Sequence, residues 1–271
     1  MDIGTKAVVA HVLAEWYRRN LHAPMLPSPY TLEVCLTSIC QALCTFCSYG
    51  QRNAANRSRP ANSFEAIIGV LKGVENLTTA GVFLAGDGEP LISPHFQAVV
   101  EYARRFAEVS VQTNGLLMDQ QIIKKGSSFL NMLDLVSISV CADTEEMYKR
   151  IVGIPRFDTL VESIKKLVAL RDRSDRYIAR THINVKILIN RVNFENVPRM
   201  YKFYKGLGVD SVQLRTVNNY EPGQDVELGD HELEILIDSL RRERDSQFML
   251  QFASLLQNKR TSYSPIISSM I

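Results

Sequence analysis

A short run of β-branched and aromatic residues followed by a helical stripe recurs about six times along the chain, which is the pattern of parallel strands joined by crossover helices. The strand segments are 31–37, 81–85, 109–114, 135–141, 181–189 and 209–217. Phe64, Ile67, Ile68, Leu71 and Val74 share one helical face behind Ser63, a good N-cap residue, and Phe96, Val99, Val100 and Ala103 do the same behind Ser93-Pro94. Three more stripes follow: Leu160, Ile164, Leu167 and Val168; Val197, Met200, Tyr201 and Tyr204; and Leu233, Leu236, Ile237 and Leu240.

Alternation inside the strands assigns a polar face to each. Glu33, Cys35 and Thr37, then Ser110, Gln112 and Asn114, then Ser137, Ser139 and Cys141, then His182, Asn184 and Lys186, then Ser211, Gln213 and Arg215 each interleave with apolar neighbours. Helices cover the outer face of a parallel sheet, so the polar set points inward. A closed eight-stranded barrel fills its interior with branched apolar side chains. A polar interior instead predicts an α/β fold of partial, splayed (β/α)6 TIM-type barrel, open enough to hold a ligand. A solvent-facing antiparallel sheet would alternate in the same way, but it would not carry helices between its strands. Residues 1–30 read as an extra N-terminal amphipathic helix, 31–245 as the barrel and 246–271 as a tail.

Composition narrows the setting. The 31 Lys and Arg against 29 Asp and Glu give a formal charge of +2, too little for a long-range field, so no nucleic-acid partner is expected. Apolar stretches such as 7–14, interrupted by His11, are too short to span a bilayer. The N-terminus puts Arg18 and Arg19 after its apolar part, the wrong order for a secretory signal, and the expected location is the cytoplasm. Five cysteines, three of them crowded at Cys40, Cys44 and Cys47, do not form a disulfide framework.

Those three sit in the loop after the first strand. Three thiolates at this spacing can wrap one corner of a [4Fe-4S] cube and leave one iron open. A zinc site completed by a distant histidine and three unrelated buried cysteines are the alternatives, and neither Cys35 nor a nearby histidine has zinc-finger spacing. Together with Phe46 just before the last cysteine, the segment resembles the signature of the radical S-adenosylmethionine (radical SAM) enzymes, CxxxCxxC with an aromatic in that place. The likeness extends over about residues 31–217. Gly86-Asp87-Gly88-Glu89-Pro90 is similar to the family's Gly-Gly-Glu-Pro turn in an expanded form; by itself it is a weak signal, a tight βα turn being the alternative. Thr113-Asn114-Gly115 resembles its Thr-Asn-Gly, and the fourth strand resembles its "iSlDg" strand, with Cys141 where an Asp is common.

The resemblance implies that an open iron chelates S-adenosylmethionine and that a one-electron reductant such as flavodoxin or ferredoxin drives its cleavage. The products are methionine and a 5′-deoxyadenosyl radical that abstracts hydrogen from substrate. It implies further that Phe46 lies beside the adenine, that Gly86, Asp87, Gly88 and Glu89 meet the methionyl ammonium through carbonyls and a carboxylate, and that Asn114 and Ser139 bond the ribose or carboxylate. His182, Asn184, Lys186, Gln213, Arg215 and Glu33 are expected to line the lumen, with Asn184 and Arg215 reaching the cofactor. Glu33 could equally pair with Lys186 or Arg215 across the barrel. Asn218, Asn219, Tyr220 and Glu221 form either a rim or a surface loop.

Only Cys141 follows the signature, so auxiliary clusters are not expected, and no stretch ahead of the barrel suits a cobalamin domain. The resulting expectation is a single-cluster enzyme acting on a small polar substrate such as a sugar, aminoglycoside or nucleoside-type intermediate, by epimerisation, dehydration or rearrangement. A peptide-modifying or peptide-epimerising enzyme and a non-catalytic metal-cluster protein are the rivals. Cys141, in phase with Ser137 and Ser139, is a candidate hydrogen donor to a substrate radical; the alternative is a small thiol packed for shape. Oligomeric state has no sequence signal here. Gly88→Val is expected to remove cofactor binding and leave the cluster in place.

Overall fold

The computed structural model describes residues 31–47, 62–76, 80–173, 181–218 and 225–241. The expected N-terminal helix, the tail and Asn219, Tyr220 and Glu221 lie outside the described residues. Six strands, β1 (Thr31–Val34), β2 (Gly81–Leu84), β3 (Glu108–Thr113), β4 (Leu135–Val140), β5 (His182–Ile189) and β6 (Ser211–Thr216), form one sheet in chain order with every pair parallel. β1 and β6 are not paired with each other, so the sheet is an open, partial barrel.

Helices return the chain after each strand, and all five stripes read from the sequence are helical. Helix α1 (Phe64–Val74) begins at Ser63, whose side chain accepts from Ala66 N. Helix α2 (Phe96–Ala103) buries Phe96, Val99, Val100 and Ala103. The β3–β4 connection is two short helices, α3 (Met118–Gln121) and α4 (Gly126–Leu130). Two helices follow β4: α5 (Glu145–Val152), whose N-cap Thr144 accepts from Met147 N, and α6 (Phe157–Asp172). Helices α7 (Val197–Gly206) and α8 (Asp230–Arg241) complete the series. Val111, Val136, Ile138, Ile183, Val185, Ile187 and Leu214 on the outer face are buried under these helices in one core.

The strand registers stack the inward positions in rows. Gln112, Ser137, Asn184 and Ser211 share one row; Ser139, Lys186 and Gln213 share the next; Leu188 and Arg215 stand above them. The lower row is an internal ladder: Asn184 Nδ2 donates to Ser137 Oγ at 3.0 Å, Ser211 Oγ donates to Asn184 Oδ1 at 2.8 Å, and His182 Nε2 lies 2.8 Å from Ser211 Oγ. At the strand starts Asp134 accepts from Val109 N, and Asp210 accepts from Ile183 N and from the buried Arg171 at 2.6 Å. On β4 to β6 the polar face of the sheet is therefore satisfied internally at its lower end.

Strand boundaries from sequence overrun at the C-terminal ends. Thr37, Ala85, Asn114 and Cys141 all lie past their strands, because there the chain leaves the ladder to form the loops of the site.

Candidate active site

The cysteine loop is fixed from two sides by backbone. Leu43 N donates to Val152 O and Thr45 N to Ile151 O, each at 2.9 Å. These are carbonyls of the last turn of α5, which an α-helix leaves unpaired. That helix ends at Gly153, in the left-handed region at φ +80°, and a Cβ there would lie 2.9 Å from Leu43 Cβ. On the other side Glu89 N donates to Ile39 O at 2.9 Å, and Gly88 is so close that a Cβ would stand 2.3 Å from Thr37 O and 2.6 Å from Ile39 O. Gly86 combines φ +119° with a Cβ position 2.8 Å from Cys35 Cβ. The glycines of the β2 turn thus admit the cysteine loop itself. This corrects the expectation for Gly88→Val: a branched side chain there would push on the loop that carries the thiols, so the cluster would not be left in place.

One cavity collects the ends of four strands. It is lined by Cys40, Cys44, Phe46 and Cys47 from the loop, by Ala85, Gly86, Gly88 and Glu89 after β2, and by Gln112, Thr113 and Asn114 at the end of β3. Ser139, Val140 and Cys141 from β4, Tyr148 and Val152 from α5, and Leu188 from β5 close it. All five cysteines are free. Burial pushes the Cys40 thiol up to about 11, and burial also raises Cys44 well above the ordinary thiol value. Sulfurs held this way stay neutral unless a positive group enters among them. Among the described residues no three His, Cys, Asp or Glu side chains converge on a single ion. A cluster asks for something different, because each thiolate meets its own iron. Three half-buried sulfurs around one open cavity fit that group.

Glu89 is 2% exposed, and burial raises its carboxyl to about 7. Its oxygens are used inside the protein: Oε1 accepts from Thr113 Oγ1 at 2.6 Å and from Leu91 N at 3.1 Å, and Oε2 from Asn114 N at 2.7 Å. The carboxylate clasps the ends of β2 and β3 together. Asn114 is turned to the cysteine loop: its Oδ1 accepts from Gln41 Nε2 and Leu116 N, each at 3.1 Å, and its Nδ2 lies 3.6 Å from Cys40 Sγ. Cys141 is buried at the mouth of β4, its thiol pushed up to about 12 by burial. Its carbonyl accepts from Asn193 Nδ2 at 2.7 Å, and the next carbonyl, of Ala142, from Tyr204 Oη at 2.5 Å.

The structure brings Cys40, Cys44, Cys47, Phe46, Gly86, Gly88, Glu89, Asn114, Ser139 and Cys141 together. Asp87, Asn184 and Arg215 are not among the lining residues. Asn184 is spent in the internal ladder one row below, and Arg215 is exposed on the edge strand. Of the two readings for Glu33, the ion pair with Lys186 or Arg215 is not formed: Lys186 Nζ donates to Gln112 Oε1, while burial, and secondarily Arg215, lower the Lys186 ammonium to about 8. Alternation turned Gln112 inward without marking it as a wall residue, and Tyr148 was missed because its helix, 145–152, carries no long apolar stripe.

A family model described as the radical SAM superfamily matches residues 34–184. A curated relative named probable GTP 3′,8-cyclase, from Saccharolobus islandicus, is 28% identical over 185 residues, 68% of this chain and 55% of the relative. The tungsten-containing aldehyde ferredoxin oxidoreductase cofactor-modifying protein of Pyrococcus furiosus is 25% identical over 146 residues, 53% of this chain and 39% of that one. The chain thus spans about half the length, or less, of these relatives. Among solved structures, anSMEcpe with bound AdoMet and the Cp18Cys peptide superposes with a TM-score of 0.61 at 20% identity, over 86% of this chain and 63% of that one. Streptococcus suis SuiB bound to S-adenosylmethionine gives 0.59 at 11%, over 84% and 52%. At these identities the structural likeness is one of fold.

Proposed function

The chain belongs to the radical SAM superfamily, and from that premise we propose that it abstracts hydrogen from a small polar substrate of nucleoside type and carries it through an epimerisation, dehydration or rearrangement. As a member it is an enzyme whose cofactors are a [4Fe-4S] cluster and S-adenosylmethionine, and it depends on an external electron donor. When bound, the reduced cluster supplies the electron that splits the sulfonium into methionine and a 5′-deoxyadenosyl radical.

The observation that carries the reading is the meeting of three thiols with the exits of β2, β3 and β4 in one cavity. Cys40, Cys44 and Cys47 would hold the cluster. Phe46 would flank the adenine, the turn at Gly86 would offer carbonyls to the methionyl ammonium, and Ser139 would offer a hydroxyl from the β4 exit. Glu89 contributes by clasping strands. Cys141 is the hydrogen donor to the substrate radical, a role favoured by burial that keeps its S–H intact at neutral pH. Lys186, Gln213 and Arg215, above the internal ladder, favour a substrate rich in polar groups. The name of the Saccharolobus relatives favours a nucleotide over a sugar or aminoglycoside. Flavodoxin or ferredoxin is the donor, and the cytoplasm, where thiols stay reduced, suits five free cysteines. Among the described residues no helix is long and apolar enough to cross a membrane.

The test is anaerobic reconstitution followed by dithionite and a panel of nucleosides, nucleotides, sugars and peptides. The expected result is 5′-deoxyadenosine formation stimulated by a nucleoside-type compound. Stimulation by a peptide alone would overturn the substrate class.

A further inference from the structure

The side-chain amide of Asn114 has one orientation open to it. Leu116 N can only donate, and it points at Asn114 Oδ1 at 3.1 Å, as does Gln41 Nε2 at the same distance. The oxygen is thereby identified without ambiguity, and the NH₂ end must face Cys40 Sγ, 3.6 Å away. The backbone of Asn114 is held as firmly, by the buried Glu89 carboxylate at 2.7 Å. The thiol hydrogen of Cys40 is directed at Gln41 Oε1, 3.9 Å away, a contact that ends when the thiol loses its proton to bind a metal. The side-chain donor left to the sulfur is then Asn114, beside the backbone N–H of Ala42.

We propose that Asn114 is a positioning residue for the electron-transfer step: its amide N–H bonds the Cys40 sulfur and raises the reduction potential of the cluster. The inference rests on the reading that Cys40 is a cluster ligand. A hydrogen bond to a ligand sulfur stabilises the extra negative charge of the reduced state, and such bonds are among the protein's means of setting a cluster's potential. Asn114 would thus make the cluster easier for its donor to reduce, while the Glu89 clasp and Gln41 hold the amide at its task.

The experiment is a potentiometric titration of the reconstituted protein, followed by electron paramagnetic resonance, without S-adenosylmethionine. Asn114→Leu removes the donor, Asn114→Asp replaces it with a negative charge, and Gln41→Leu removes one of the two bonds that orient the amide. With full iron content, the potential is expected to fall in all three, least in Gln41→Leu. Gln41→Leu also keeps the test open should Asn114→Leu fail to hold a cluster. A wild-type potential in Asn114→Asp and Gln41→Leu overturns the proposal. So does a loss of S-adenosylmethionine affinity in Asn114→Leu with the potential unmoved, which would make Asn114 a cofactor contact. Failure of the underlying reading is separately visible, because Cys40→Ala would then keep all its iron.

Discussion

The two sides of the cavity are built by different means. On the side of β1 to β3, positions are set by backbone: Glu89 N on Ile39 O, Leu43 N on Val152 O, Thr45 N on Ile151 O, and glycines that let one loop press on the next. On the side of β5 and β6 only Leu188 reaches the cavity wall among the described residues, and the inward sheet face beside it is made of long side chains, with Lys186 held to the neutral amide of Gln112 and Arg215 exposed on an edge strand. A constellation that must be held to fractions of an ångström is best built on packed backbone. A surface that only needs to recognise a substrate can be made of side chains and changed one residue at a time. The contrast therefore separates a wall fixed by packed backbone from a sheet face whose side chains can be exchanged singly.

The largest effect belongs to Cys44→Ala. Anaerobic reconstitution should give about four irons per wild-type chain and essentially none in the variant, read by iron content and visible absorption. A full cluster in Cys44→Ala would remove the basis for calling this the cofactor side.

Gly88→Val comes next. Its Cβ would stand 2.3 Å from Thr37 O, a backbone atom that cannot swing away, so the cysteine loop must shift at a cost of about 1–3 kcal/mol. Both cluster content and thermal stability should fall. A protein that keeps its cluster and loses only S-adenosylmethionine would show that the two loops are not one unit.

Gly88 also shows where sequence reading stops. The six strands, the order of elements and the crowding of three cysteines in the loop after β1 were legible because each rests on local periodicity or spacing. The glycine-rich turn was legible as a motif, but which neighbour its missing side chains admit depends on how loops 50 residues apart in sequence meet. The same limit explains Asn184. Alternation correctly turned it inward, but its height in the barrel depends on strand register, and register placed it beside Ser137 and Ser211. Asn114 sits at the predicted strand exit and yet faces the thiols, because Leu116 N claims its oxygen.

A smaller effect on the cofactor side is expected from Glu89→Gln, and it depends on pH. Burial raises the Glu89 carboxyl from 4.5 to about 7, so the folded protein binds this proton more tightly than the unfolded chain does. Its contribution to stability is then fully present below about pH 4.5 and is lost as pH rises through about 7. The full span is at most roughly 3 kcal/mol. Urea unfolding of the apo-protein should show wild type losing stability between pH 5 and 7.5. Glu89→Gln should be flat over that window and weaker at its acid end, where the new NH₂ opposes an N–H donor. A wild-type profile that is itself flat would mean the clasp carries no buried proton.

Lys186→Met probes the other side. Losing a charged hydrogen-bond donor costs about 1.5–3 kcal/mol, which predicts a rise in substrate KM of roughly ten- to a hundredfold. Cluster content and substrate-free cleavage of S-adenosylmethionine should stay at wild-type level. Loss of the cluster in this variant would join the two sides that the structure separates.

Cys141→Ala should leave the cofactor side least disturbed and still change the outcome of the reaction. The thiol lines the cavity at the exit of β4, its backbone pinned by Asn193, and burial keeps it protonated. A thiol S–H bond is weak enough to give its hydrogen to a carbon radical, and a donor on the face opposite the abstraction is what inversion requires. Truncation to Ala should cost about 1 kcal/mol of stability or less, since one buried sulfur is removed. The variant is expected to cleave S-adenosylmethionine and abstract hydrogen at wild-type rates, yet lose the inverted product and accumulate off-path species. If Cys141→Ala instead turns over normally, with unchanged deuterium incorporation from heavy water, the thiol is packing. The reaction would then be a dehydration or rearrangement whose radical needs no hydrogen from the protein.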